Sequence, residues 1–197
     1  MRLVRVVLAG EGGQGVQSVA EIMAEAAYEE GKQAIYIPNF GLEQRGGVSI
    51  AFLQVSDRRI GAPKFNKADV IAALSQRAIA RTRMYSGPDT IFMYDSSFKV
   101  NEGDLPDQYG MILDIPAVEK SKELNTRVLN VIIMGAVLEL TDMIPVAATR
   151  TALEKKLGYK FEKNPELREM NHKAIEAGRA LVQNRLKGGE MVCASTR

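Results

Sequence analysis

Hydrophobic residues along the chain alternate between short β-branched runs and longer stretches with helical spacing. Residues 3–9, "LVRVVLA", predict a buried strand. After a group of glycines, apolar residues recur at helical spacing until Gly31 ends the helix: Val16, Val19, Ala20, Met23, Ala26 and Ala27. Residues 33–38, "QAIYIP", predict a second short strand. The first forty residues therefore predict a β-α-β unit, which closes right-handed into a parallel sheet.

The same pattern continues and then becomes helical. Further strands are predicted at 46–56, 68–74, 89–95 and 109–116, with a basic helix, "SQRAIARTRMYS", between the second and third of these. Helices are predicted at 126–140, 146–156 and 165–186. We expect an α/β fold, a Rossmann-like three-layer sandwich with a mostly parallel sheet and a helical C-terminal third. Residues 1–186 predict a single domain, and residues 187–197 a flexible tail or an arm that contacts a partner.

Composition narrows the class of protein. Hydrophobic residues make up 46% and charged residues 25%, and 26 basic against 24 acidic residues leave a net charge of +2. That balance gives no reason to expect nucleic acid or an anionic membrane surface as a partner. The longest apolar run, which begins at Val131, is too short to cross a bilayer, and no secretory signal precedes the first strand. We therefore expect a cytoplasmic location.

Two residue counts limit the chemistry available to the chain. A single cysteine, Cys193, excludes an intrachain disulfide and any cysteine-ligated iron–sulfur cluster or Cys-rich zinc site within the chain. A single histidine, His172, excludes a multi-histidine metal site unless other groups come from elsewhere. His172 lies among polar residues of a predicted helix, and we interpret it as an exposed or interface residue.

The first glycine motif lies between the first strand and the first helix. Gly10, Gly12 and Gly15 match the spacing G-x-G-x-x-G in the strand–loop–helix context where such loops bind phosphates. Free amides at the start of the helix favour negative charge. The alternative is a loop that is merely tight. A dinucleotide site also needs a carboxylate at the end of the second strand, but "IYIPNF" offers none before Glu43, and Glu11 would oppose a phosphate.

The second glycine motif follows the second strand. Gly41, Gly46 and Gly47 bracket Glu43 and Arg45. In an open α/β sheet both motifs should lie at the carboxyl edge of the strands, where ligands bind. Arg45 can clamp a phosphate there, with its rotamer fixed by Glu43 or by a carboxylate of a partner. The alternative is a surface salt bridge on a turn.

Together the two motifs are similar to a known family. "GEGGQG" at 10–15 and "GLEQRGG" at 41–47 resemble the G-x-G-G-Q-G and G-x-E-x-R-G-G motifs of the gamma subunit of 2-oxoacid:ferredoxin (acceptor) oxidoreductases. These enzymes act on pyruvate, 2-oxoglutarate, 2-oxoisovalerate or aryl-2-oxoacids. The segments "NTRVLNVIIMGAVLEL" from Asn125 and "NPELREMNHKAIEAG" from Asn164 also resemble the family, so the similarity covers about residues 3–183.

The resemblance implies a subunit without a complete active site. The family decarboxylates a 2-oxoacid on thiamine diphosphate and passes electrons through iron–sulfur clusters to ferredoxin or a similar acceptor. The acyl group goes to coenzyme A. Thiamine diphosphate, Mg and [4Fe-4S] clusters are then expected in the partner subunits, which are alpha, beta and ferredoxin-like delta-type chains.

The resemblance also implies roles for the two motifs in binding coenzyme A at a shared site. The first motif would lie near the pantetheine or diphosphate, and Arg45, with Gln44 beside it, near a phosphate. Glu43 would orient Arg45 or close the subunit contact. The cofactor-binding residues so implied are Gly10, Gly12, Gly13, Gln14, Gly15, Glu43, Gln44, Arg45, Gly46 and Gly47. No residue is assigned as catalytic or as a metal ligand.

Two other hypotheses remain open from the sequence. The enzymatic one is a Rossmann-type NAD(P)-binding dehydrogenase domain, and the other is a structural or nucleotide-sensing α/β subunit. Asp95 either lines the cleft or caps the following turn, and capping is the interpretation that we favour. Met84, Met111, Met134 and Met143 are interpreted as core or interface residues.

Overall fold

The computed structural model describes residues 3–40, 47–188 and 192–193. The strands are β1 (Val4–Glu11), β2 (Gln33–Asn39), β3 (Val48–Ser56), β4 (Val70–Ala73), β5 (Ile91–Asp95), β6 (Met111–Ile115) and β7 (Val192–Cys193). The helices are α1 (Val16–Glu29), α2 (Gln76–Thr82), α3 (Ala117–Leu124), α4 (Leu129–Thr141), α5 (Val146–Lys163) and α6 (Pro165–Lys187). Short 3₁₀ turns occur at Arg83–Tyr85, Glu102–Asp104 and Thr126–Val128.

All the described strands form one sheet, in the order β2-β3-β1-β4-β5-β6-β7. β1, β4, β5 and β6 are parallel neighbours, and β3 pairs antiparallel with both β1 and β2. β2 therefore points the same way as β1, although β3 lies between them. Five strands share one direction, which confirms the expected mostly parallel sheet.

The two faces of the sheet are covered differently. On one face the side chains of β1, β3 and β5 pack against α1 and the C-terminal helices, through residues such as Leu8, Leu53 and Met93. On the other face Val7, Ile71 and Phe92 pack against α2 and against irregular segments that carry Phe65, Tyr85 and Phe98. The alternation of side chains along each strand directs neighbouring residues to opposite faces. The three layers are thus one thick helical layer, the sheet and a thin layer with one short helix.

α4 is buried on nearly all sides because it lies between the sheet and α6. Its residues from Val131 to Leu138 are all buried, which is the expected environment of a helix that is apolar all round. Gly135 of α4 faces Ile175 of α6, and Gly178 of α6 faces Ile132 of α4. A Cβ atom at either glycine would overlap a backbone carbonyl oxygen of the other helix, so this crossing requires glycine at both positions. No helix in the described part of the chain has the length and apolar character needed to cross a membrane.

The structure differs from the sequence prediction at three places. α3 was not predicted, because among its residues only Ala117 and Ser121 are buried. α5 ends at Lys163, whereas the sequence predicted its end at residue 156, so the helix continues through Gly158. Val192 and Cys193 of the predicted tail form β7, which pairs antiparallel with β6 and was not predicted, while the flexible tail or partner-contacting arm at residues 187–197 stays a prediction. Two backbone pairings at a strand edge need no apolar pattern, and the sequence therefore carried no sign of them.

Candidate functional site

The first glycine motif forms the connection between β1 and α1. Gly13 and Gly15 have φ angles of 98° and 75°, in the left-handed region that favours glycine. The backbone N–H of Gln14 donates to the carbonyl of Glu11 at 3.0 Å, which closes a tight turn. A Cβ atom at Gly13 would have no heavy atom of the described chain within 4 Å, so this part of the loop opens outward.

The side chain of Gln14 holds the loop from inside. Its Oε1 accepts the backbone N–H of Glu11 at 2.7 Å, and its Nε2 donates to the carbonyl of Leu74 at 2.9 Å. A Cβ atom at Gly10 would lie 2.6 Å from Gln14 Oε1, so glycine is needed there for this amide to fit. The Gln14 side chain therefore connects the end of β1 to the segment after β4, and its role in the described structure is to shape the loop.

The amino end of α1 leaves backbone donors available. Among the described residues no side chain caps this helix, and its first turn contains no acidic residue. The N–H of Val19 donates to the carbonyl of Gly15, so the amides of Val16, Gln17 and Ser18 precede the first intrahelical bond. Such amides favour an anion electrostatically and by hydrogen bonding. Glu11 at the end of β1 adds a negative charge nearby that opposes this preference.

The two glycine motifs meet at one edge of the sheet. The backbone N–H of Gly12 donates to the carbonyl of Gly47 at 3.2 Å, and Gly10 stands opposite Ser49 in the β1–β3 register. β2 ends and β3 begins at the same edge as the carboxyl ends of β1 and β4. The expected meeting of the two motifs is thereby established at Gly47. Gly41 to Gly46, including Glu43, Gln44, Arg45 and Gly46 of the predicted site, lie outside the described residues.

A side-chain network beside the loop was not anticipated from the sequence. Gln17 Nε2 donates to Ser49 Oγ at 2.6 Å and to the carbonyl of Ile50 at 3.0 Å, and Tyr36 Oη donates to Gln17 Oε1 at 2.7 Å. Burial, and secondarily the charge of Glu21, raises the pKa of Tyr36. The network fixes the first turn of α1 against β2 and β3, so it holds the two motifs in one orientation. Its residues are far apart in sequence and follow no motif spacing, so no sequence pattern pointed to them.

Asn130 is a second contact that sequence reasoning missed. Its Nδ2 lies 3.4 Å from the carbonyl oxygen of Gly15, and a Cβ atom at Gly15 would overlap the same amide. Asn130 belongs to α4, so the amino ends of α1 and α4 come together behind the loop. The sequence around Asn130 resembles the family, but an amide within an apolar helix gives no indication of which residue it contacts.

The remaining candidates have structural roles in the described chain. Asp95 is buried, accepting from Ser97 N at 2.9 Å and from Val118 N at 2.6 Å, which confirms its interpretation as a cap. His172 is partly exposed, and its Nε2 lies 3.2 Å from Glu154 Oε1.

The predicted methionines divide between core and surface. Met134 and Met143 are in the core and Met111 is partly buried, as predicted, whereas Met84 is 67% exposed, so that of its two predicted roles only that of an interface residue stays a prediction. Met84 lies in the 3₁₀ turn at Arg83–Tyr85. None of the residues of this turn is buried, so Met84 does not reach the core.

The strand order bears on the dinucleotide hypothesis. In a Rossmann fold the strand that carries the ribose-binding carboxylate is the direct neighbour of the first strand. Here that position is occupied by β3, which runs antiparallel and begins at Val48 beside the loop. β2, the second strand in sequence, lies one position further out and ends at Asn39. The described geometry therefore supplies no carboxylate where the dinucleotide interpretation needs one.

Comparison with known proteins agrees with these motifs. Residues 5–181 match the family described as pyruvate ferredoxin/flavodoxin oxidoreductase, which is most of the chain. The chain belongs to this family. The resemblance seen in the sequence is thereby confirmed.

Three relatives illustrate the family relationship. The ketoisovalerate oxidoreductase subunit VorA of Methanothermobacter thermautotrophicus is 29% identical over 94% of this chain and 38% of its own length. The solved 2-oxoglutarate:ferredoxin oxidoreductase of Magnetococcus marinus, with 2-oxoglutarate, coenzyme A and succinyl-CoA bound, has a TM-score of 0.82 at 25% identity. That similarity covers 93% of this chain and 32% of the other. The keto/oxoacid ferredoxin oxidoreductase gamma subunit of Geobacter sulfurreducens has a TM-score of 0.75 at 25% identity, covering 92% and 99%.

The coverage shows how this family member relates to longer chains. It spans 38% of VorA and 32% of the Magnetococcus marinus chain, but nearly all of the Geobacter sulfurreducens gamma subunit. The same unit thus occurs both as part of a longer polypeptide and as a chain of about this size.

Proposed function

We propose that this chain is the gamma component of a multi-subunit 2-oxoacid oxidoreductase and contributes to coenzyme A binding and to assembly of the complex. The reaction of the complex would convert a 2-oxoacid, coenzyme A and an oxidised acceptor into acyl-CoA, CO₂ and the reduced acceptor. The observation that carries the proposal is the junction of the two glycine motifs at one sheet edge, through Gly12 and Gly47, in a member of this family.

The loop suits a ligand that carries a diphosphate. The outward opening at Gly13 and the amides of Val16, Gln17 and Ser18 give an anion both space and donors. Coenzyme A carries several phosphate charges, and Arg45 of the second motif would add a cation that can bind a phosphate bidentately. The first motif binds chiefly through its backbone, because the Gln14 side chain is used inside the loop. In this proposal Gly10, Gly46 and Gly47 have no side chain that would keep the backbone away from the ligand.

The chain would contribute binding and positioning rather than chemical catalysis. Thiamine diphosphate, Mg and the [4Fe-4S] clusters would lie in alpha, beta and ferredoxin-like delta-type partners, and ferredoxin or a similar protein would accept the electrons. Phe40, next to the second motif, is 68% exposed, and we propose that a partner covers it in the complex. Residues 1–186 would form one domain. We assign the complex to the cytoplasm.

Purification of the tagged chain from its native source tests the proposal. We expect alpha-, beta- and delta-type subunits to copurify, and the preparation to oxidise a 2-oxoacid with strict dependence on coenzyme A. A panel of pyruvate, 2-oxoglutarate, 2-oxoisovalerate and an aryl-2-oxoacid would identify the substrate. Recovery of a lone monomer that binds NAD tightly, and coenzyme A not at all, would contradict the proposal.

A further inference from the structure

A cavity lies at the amino edge of the sheet, away from the glycine motifs. It has a volume of about 530 Å³, within the range of small-molecule sites, and Leu3, Arg5 and Gln54 form one side of it. Lys64, Phe65 and Lys67 form the other. Arg5 is near the start of β1 and Glu11 is at its end, so about 20 Å of strand separates the cavity from the glycine loop. The proposed coenzyme A site therefore does not account for it.

The charged residues of this cavity are all basic. Arg5, Lys64 and Lys67 contribute three cations, and none of the lining residues is acidic. Within the described residues, the guanidinium of Arg5 and the ammonium of Lys64 form no salt bridge or hydrogen bond with another residue. The carboxylate of Asp69 reaches this edge, but it accepts the backbone N–H of Arg5 at 2.8 Å. Because Arg5, Lys64 and Lys67 line the same cavity, an anion bound there would be attracted by all three charges.

The walls of the cavity are held by the fold. Gln54 is buried opposite Arg5 in the β1–β3 register, and its Nε2 donates to the carbonyls of Ala62 and Pro63 at 2.9 and 3.0 Å. Lys67 Nζ donates to the carbonyl of Ser86 at 2.6 Å, which fixes the position of its charge. The ring of Phe65 packs edge-to-face on Phe52, with centroids 5.7 Å apart. The cations are therefore presented on ordered backbone rather than on a free loop.

We infer that this cavity binds a small organic molecule that carries a diphosphate or an equivalent pair of anionic groups. The cations would bind the anionic oxygens, and the apolar surface of Leu3, Ala62 and Phe65 would contact the organic part. A polyphosphate group matches the grouped positive charge better than a single carboxylate does.

Calorimetric titration of the full chain with inorganic pyrophosphate tests this inference. At about 10 mM ionic strength, where the Debye length is about 30 Å, we expect saturable binding. The double variant Arg5→Gln/Lys64→Gln should weaken binding about tenfold, because two charge-assisted contacts are lost. A matched control, Lys122→Gln/Lys163→Gln, removes the same net charge from exposed positions of α3 and α5 and should leave the affinity unchanged.

Three results would overturn the inference. These are the absence of saturable binding, equal weakening in the two double variants, and binding that Arg5→Gln/Lys64→Gln leaves unchanged. The second would mean that only net charge matters. The third result would mean that pyrophosphate binds at the glycine loop or at another surface. Circular dichroism of the double variant would verify that it retains the fold.

Discussion

Gln14 shows how one side chain can fix the conformation of a glycine loop from inside. Its side chain makes two hydrogen bonds within the protein, accepting from Glu11 N and donating to Leu74 O. The bond to Leu74 joins sequence positions that are 60 residues apart, so the loop conformation depends on the segment that follows β4. A residue that fits the family motif can thus have a role in local structure.

Substitution Gln14→Leu should destabilise the fold by about 2 kcal/mol, because it leaves a backbone donor and a buried carbonyl without partners. Urea denaturation followed by far-UV circular dichroism would measure the loss. Gln76→Leu is the matched control, since Gln76 makes one exposed hydrogen bond, to the carbonyl of Lys99, and should cost less than about 0.5 kcal/mol. Equal losses in the two variants would contradict the role given to Gln14.

Substitution Arg45→Ala tests the second motif in the assembled complex. If Arg45 binds a phosphate of coenzyme A, the variant should raise the apparent KM for coenzyme A about tenfold or more, with decarboxylation largely intact. Steady-state kinetics with varied coenzyme A would measure this. Arg59→Ala removes an exposed arginine elsewhere and should change nothing. An unchanged KM in the Arg45 variant would remove that residue from the proposed site.

At the scale of elements, the α4–α6 crossing is the tightest contact between helices described here. Gly178→Ala would place a Cβ atom against the backbone carbonyl of Ile132, so the helices must separate, at a cost of about 3 kcal/mol. Gly158→Ala is the matched control: Gly158 lies within α5, and its added Cβ would meet nothing within 4 Å in the described chain. That variant should gain about 0.5 to 1 kcal/mol from helix propensity. Chemical denaturation should show a loss of stability for Gly178→Ala and a gain for Gly158→Ala. A loss of stability in both variants would contradict the packing argument.

The elements with a continuous apolar face were predictable from the sequence. β1, β4 and α1 were each predicted within a few residues of their ends, because burial gives strands and helices different periodicities. α3 was missed because its contact with the core is small, and the last turns of α5 because mostly exposed residues have no period. β7 was missed because backbone pairing at an edge leaves no mark on side-chain pattern.

At the scale of the whole molecule, the described part of the tail joins the sheet through two residue pairs. Truncation after Gly188 removes the β6–β7 pairings of Met111 with Cys193 and of Ile112 with Val192. We expect the free energy of unfolding to fall by about 1 kcal/mol or less. Thermal and urea unfolding of the truncated chain would measure this. If the tail also contacts a partner, which is one of the two interpretations of its sequence, truncation should weaken copurification of the other subunits much more than it weakens folding. A large loss of stability would instead make the tail an integral part of the domain.

The sequence by itself determined the family, the α/β class and the two glycine motifs, because each depends on residues close together in the chain. Only the tertiary structure decided how these parts are arranged. β3 is inserted between β1 and β2, which brings Gly47 to Gly12 and excludes a neighbouring carboxylate strand. The Gln14, Gln17 and Asn130 contacts and the basic cavity at Arg5 likewise join distant segments. Strand order and side-chain contacts depend on which apolar faces pack together, and local periodicity specifies each face but not its partner.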